Sequence, residues 1–154
     1  KKEDIEISEL FQPILKNKGL NFNNEYVAKV IGLVKDRVYF IKEVWDQAFY
    51  FFKAPEEYDQ KVIKKRWKEN TPALIASIKN LLIEIEPFNS AESENVVKKY
   101  IEDNELGMGQ VMNSLRLAIV GTSMGPHLFD IMELIGKDQV IKRLDAAIKN
   151  IKKD

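Results

Sequence analysis

Cysteine is missing from all 154 residues. That excludes a disulfide framework and a thiolate metal site, and it fits a cytoplasmic protein. Histidine occurs once, as His127. A lone histidine with no second ligand at metal spacing is as a rule neither a metal ligand nor a general base, so no metal is expected. No apolar run reaches the roughly 18 residues that a membrane span needs, and no membrane partner is expected. Charge of one sign is lacking too, because 24 basic and 24 acidic residues cancel. A protein living off phosphate contacts alone would be basic. Any RNA binding must therefore rest on a few base contacts and local patches. The chain opens on Lys1-Lys2-Glu3-Asp4, without Met and without a signal-peptide core. It is expected to be part of a longer protein.

Catalytic signatures are equally scarce. No glycine-rich loop is followed by Lys and Ser or Thr, so there is no P-loop. Acidic residues are scattered over polar faces, and nothing assembles a nucleophile, base and oxyanion group. No catalytic residue is assigned.

What the sequence does have is helical periodicity. Ile5, Leu10, Phe11, Ile14 and Leu15 form one apolar face that ends near Gly19. Tyr26, Val27, Val30, Ile31 and Val34 form a second, with Asn23 or Asn24 as its cap. Ile41, Val44, Trp45, Ala48, Phe49 and Phe52 mark a third. Val38–Ile41 alternates like a strand, but no second alternating segment exists to pair with it. Ala54-Pro55 breaks the pattern. A short basic helix over 56–69 carries Lys61, Lys64, Lys65, Arg66 and Lys68. Thr71-Pro72 reads as a cap and first turn, with Leu74, Ile75, Ile78, Leu81, Leu82 and Ile85 as the buried stripe. Ser90 can cap the next helix, which ends near Gly107. Three helices follow, at 109–120, 127–135 and 138–152. The expected fold is all-α, with the best internal boundary near residues 68–72, dividing 1–69 from 70–154.

The most distinctive stretch is residues 109–144, GQVMNSLRLAIVGTSMGPHLFDIMELIGKDQVIKRL. Between Glu105 and Asp130 its only formally charged residue is Arg116. An arginine in such a helix must cover apolar surface with its stem and find acceptors for its head. The turn Gly121-Thr122-Ser123-Met124-Gly125-Pro126 follows. This run resembles the C-terminal signature of bacterial glutamyl-tRNA synthetases, "PLRxALTG" followed by "GPxLFEIxxLLGKExxLxRL". A weaker match at residues 33–52, LVKDRVYFIKEVWDQAFYFF, is similar to "LxxERxxTLxEFxExAxYFF". The chain thus resembles the anticodon-binding half of these enzymes, which implies two packed helical subdomains. The class I motifs HIGH and KMSKS are absent.

The resemblance implies four contacts to the anticodon. Arg116 is expected to reach the first anticodon base; read alone, it is an arginine snorkelling to a carboxylate or helix end. Leu128 and Gly125 are expected to border the pocket for the first two bases. Leu128 read alone is a core leucine, and Gly125 stands where the family often has a hydroxyl residue. Arg37 is expected to read the third base; read alone, it is a charge at a helix C-terminus. Cytosine presents acceptors there, whereas guanine presents donors that oppose a guanidinium. Arg37 therefore points to an enzyme that charges glutamate tRNA and rejects glutamine tRNA.

Lys61, Lys64, Lys65 and Arg66 are candidates for phosphate contacts, which position RNA without specifying sequence. A solvated helix face explains them equally. The aromatic run from Trp45 to Phe52 reads as core. The partners implied are the anticodon arm of glutamate tRNA and an N-terminal catalytic domain absent from this chain, with a monomer expected. No cofactor is expected in this portion; the parent enzyme would use ATP and Mg to attach glutamate to tRNA. A helical protein–protein interaction module is the alternative reading.

Overall fold

A computed structural model describes residues 2–37 and 43–151, with side chains over 4–36 and 44–151. Among the described residues there are nine α-helices, two short 3-10 segments and no strand. The expected alternation over Val38–Ile41 lies outside the described residues. The chain divides into two units, Lys1–Lys53 and Ala54–Asp154.

The first unit is built on α1 (Lys2–Asn17) packed against α2 (Asn24–Val34). The Asn23 side chain caps α2 by accepting from the Tyr26 N–H at 2.8 Å, which satisfies one of the donors a helix start leaves over. Phe11, Leu15, Val27, Val30, Ile31 and Val34 form the buried seam. The apolar face expected of α1 is only partly buried. Ile5 is 38% exposed and Leu10 65% exposed, so neither belongs to that seam. A 3-10 turn at Lys35–Arg37 follows α2 directly. α3 (Glu43–Ala48) then runs into a second 3-10 turn, Phe49–Phe51. Tyr50, Phe51 and Phe52 are buried while Trp45 and Phe49 are half-buried. The Phe52 ring lies among Phe11, Phe22, Tyr26 and Trp45 at centroid distances of 5.0–6.4 Å, and the aromatic run is core.

The second unit contains α4 (Gln60–Arg66), α5 (Thr71–Ile83), α6 (Ser90–Asp103), α7 (Met108–Val120), α8 (Leu128–Ile135) and α9 (Lys137–Asn150). Its dominant packings are α5 on α9, α7 on both α4 and α9, and α6 on α8. α7 is central because four residues in succession, Leu117 to Val120, are buried. Two caps shift by one residue from the sequence reading. Asn89, not Ser90, caps α6, accepting from the Glu92 N–H at 2.9 Å. Asn70 is the residue before α5, while Thr71 enters the helix and its hydroxyl accepts from the Lys68 N–H at 2.7 Å.

The second unit begins at Ala54 and includes α4. The reason is the anchoring of α4. The carbonyl of Arg66 accepts from the side chains of Gln110 and Ser114 on α7, and Val62, Ile63 and Trp67 are buried. These contacts satisfy the last carbonyl of α4 and bury its apolar side within the second unit.

Candidate nucleic-acid interface

The central feature of the second unit is the turn between α7 and α8. α7 stops at Gly121, whose φ of +94° is left-handed and favours glycine. Space also demands glycine there. A Cβ would lie 2.9 Å from the Pro55 Cβ and 3.0 Å from the Glu57 carbonyl, so residues 55–57 cross directly over the end of α7. The Asp59 N–H donates to the Gly121 carbonyl at 2.8 Å. One residue later α4 begins, with Asp59 as its cap through contacts to the Lys61 and Val62 N–H groups.

A second anchor comes from α9. Arg143 is 2% exposed, and its guanidinium donates to the Ile119 carbonyl at 3.0 Å and to Gln139 at 3.3 Å. A buried cation is tolerated where acceptors replace its water. Tyr58 lies close enough to feel that charge. Burial pushes the Tyr58 hydroxyl above its usual pKa, and the Arg143 charge pulls it partly back.

Within this frame Arg116 is half-buried. Its guanidinium reaches the Met124 carbonyl at 3.4 Å, so its head lies along the turn. Thr122 braces the same turn by accepting from the Met124 N–H at 3.1 Å. The Met124 side chain is 69% exposed, a prominent apolar group that periodicity alone did not mark. Gly125 has a φ of +128°, a conformation that a side chain would strain, so glycine stands there for backbone reasons. Leu128 is 1% exposed. The residue belongs to the core as a whole, side chain and backbone alike. Arg37 closes the 3-10 turn after α2 in the first unit, with its side chain outside the described residues.

His127 immediately precedes α8 and is exposed. It meets Glu94 at 3.1 Å, and Glu94 also pairs with Lys98 at 2.7 Å. The Lys98 hydrogen bond, followed by that from His127, holds the Glu94 carboxyl below its usual pKa. Sequence spacing missed this pair because Glu94 lies 33 residues away.

The basic helix meets the signature turn in one groove of about 260 Å³. Lys61, Lys65 and Arg66 of α4, Asn113 of α7 and Ser123 of the turn line it. Lys64 does not. Among the described residues no group of three or more His, Asp or Glu could hold a metal ion, and no helix is long and apolar enough to cross a membrane.

The anticodon binding domain family matches residues 6–148. The chain is 49% identical over 151 residues to the glutamate–tRNA ligase of Flavobacterium psychrophilum, covering 98% of this chain and 30% of that protein. It is 46% identical over 149 residues to the Porphyromonas gingivalis glutamate–tRNA ligase, covering 97% and 30%. A crystal structure of a glutamate–tRNA ligase from Elizabethkingia meningosepticum in complex with its amino acid superposes with a TM-score of 0.89. That match is 34% identical and covers 97% of this chain and 30% of the other. The chain thus spans about 30% of the length of these relatives. With the family matched from residue 6 to residue 148, this chain belongs to the anticodon binding domain family, in the form carried by glutamate–tRNA ligases.

Proposed function

We propose that this chain holds the anticodon arm of glutamate tRNA and checks its bases on behalf of a longer glutamate–tRNA ligase. The observation that carries the reading is the Arg116 guanidinium laid against the Met124 carbonyl, along the turn between α7 and α8. An arginine held at the edge of an exposed turn can donate to a pyrimidine oxygen and stack on a splayed base. Arg116 and the turn at Gly125 would meet the first two anticodon bases, with Leu128 holding the start of α8 in the core. Arg37, from the other unit, would meet the third.

The longer protein would activate glutamate with ATP and Mg and transfer it to the tRNA. This chain's sequence carries neither HIGH nor KMSKS. ATP and Mg are accordingly assigned to the portion outside it, and this chain alone would not charge tRNA. A catalytic domain and the tRNA are its proposed partners.

Arg37→Gln in the full-length ligase tests the reading. A glutamine amide carries a donor and an acceptor and can turn to suit C or G, whereas a guanidinium only donates. The kcat/KM ratio between tRNAs ending the anticodon in C and in G should fall, with charging of the G form rising. An unchanged ratio leaves Arg37 as a helix-end charge.

A further inference from the structure

We infer that the groove between α4, α7 and the turn after α7 is a seat for a phosphodiester of the RNA backbone, built by Lys61 and Lys65 with neutral donors from Asn113 and Ser123. The inference rests on the proposed anticodon-arm reading and adds a defined backbone contact to it.

Three observations point to an anion. First, Lys61 and Lys65 stand four residues apart on α4 and both line the groove, with Arg66 beside them. Like charges at that spacing repel along a helix. None of the three side chains has a carboxylate partner within ion-pair distance among the described residues. Second, the one carboxylate in the groove forms no ion pair with these cations and uses Oδ1 on the backbone. Asp59 accepts from the Lys61 N–H at 2.9 Å and the Val62 N–H at 3.4 Å as the cap of α4. Third, the opposite wall offers neutral hydrogen-bonding groups. Ser123 is exposed and Asn113 half-buried, and the Asn113 amide spends only one contact on the Gly109 carbonyl, at 2.8 Å. Cations on one wall and neutral donors on the other suit a phosphodiester, which offers acceptors alone.

Position ties the seat to RNA. Ser123 belongs to the same turn as Met124, whose carbonyl receives Arg116. The Asp59–Gly121 hydrogen bond fixes α4 to the start of that turn. A strand whose bases meet Arg116 would bring its backbone past Ser123 and into the groove. The seat also divides the basic helix into working and idle residues, because Lys64 lies outside it.

The test measures binding of the whole chain to two labelled anticodon stem-loops across a salt series. One loop carries the glutamate anticodon and the other has all three anticodon bases replaced. The double variant Lys61→Ala, Lys65→Ala should weaken both complexes by the same factor, roughly tenfold at moderate salt. It should also lower the slope of log K against log salt by about 1.4, two contacts at the single-strand value. Ser123→Ala should weaken both without changing the slope, since it removes a neutral donor. Lys64→Ala should leave affinity and slope unchanged. An unchanged slope in the double variant, or an equal loss from Lys64→Ala, overturns the seat. A wild-type chain that binds both loops equally overturns the base-reading function and leaves the slope test of the seat intact. A wild-type chain that binds neither overturns both.

Discussion

The backbone N–H of Asp59 donates to the carbonyl of Gly121 at 2.8 Å, joining the start of the basic helix to the end of the central helix. Two distant stretches of sequence thereby become one surface. The bond exists because Gly121 has no side chain to hold residues 55–57 away.

Gly121→Ala should therefore destabilise the second unit. The residue would carry a left-handed φ and drive a methyl group into the Pro55 ring and the Glu57 backbone. Strain and overpacking together should cost roughly 2–4 kcal/mol. Urea unfolding of the variant checks this, and a midpoint within error of wild type would mean the strap over α7 yields.

Arg143→Ala is the second stability test. It removes a buried guanidinium and leaves the Ile119 carbonyl without that donor. Loss of a charged hydrogen bond together with buried packing should cost about 2–4 kcal/mol. Arg143→Lys should recover only part, because an ammonium lacks the planar fork. Full recovery by lysine would show that charge alone matters there.

Acid should loosen the contact between α6 and the start of α8. The Glu94 carboxyl is held below its usual value of 4.5 by Lys98 and His127. A carboxyl with a lowered folded pKa contributes stability above the unfolded value and loses it as pH falls through the folded one. The effect belongs to an exposed pair and is small. Melting curves from pH 7 to pH 3 should show Glu94→Gln losing less stability than wild type below about 4.5. Parallel curves would remove Glu94 from the acid response.

Much of this architecture is legible in the sequence. Stripes such as Val27, Val30, Ile31 and Val34 fix a buried face by spacing alone, and Asn23 announces its own helix. Leu10 shows the limit of that logic: it fits the stripe of α1 and is nevertheless 65% exposed. The fate of α4 was hidden for a different reason. Its basic residues say nothing about Gln110 and Ser114, which anchor it from 44 and 48 residues away. Arg116 stood out because charge is rare in its surroundings. Leu128 stood out through resemblance, but its side chain is core. The groove was invisible in sequence, since Lys61, Asn113 and Ser123 meet only in three dimensions.

Arg116→Ala should weaken binding of the anticodon arm while leaving the fold intact. The guanidinium reaches the Met124 carbonyl at 3.4 Å and lies half-buried, outside the fully buried core. Removing a charged hydrogen bond to RNA should cost about 1–3 kcal/mol of binding. Circular dichroism and titration together decide it. Unfolding of the variant would assign Arg116 to structure.

The most direct test of the account measures binding of this chain to the anticodon stem-loop of glutamate tRNA and to the same loop with the third anticodon base changed from C to G. Affinity for the first loop should be on the order of micromolar. The single-base change should weaken it by about 1–3 kcal/mol, the scale of one base-edge contact. Equal affinity for the two loops would contradict the claim that this chain reads the third anticodon base.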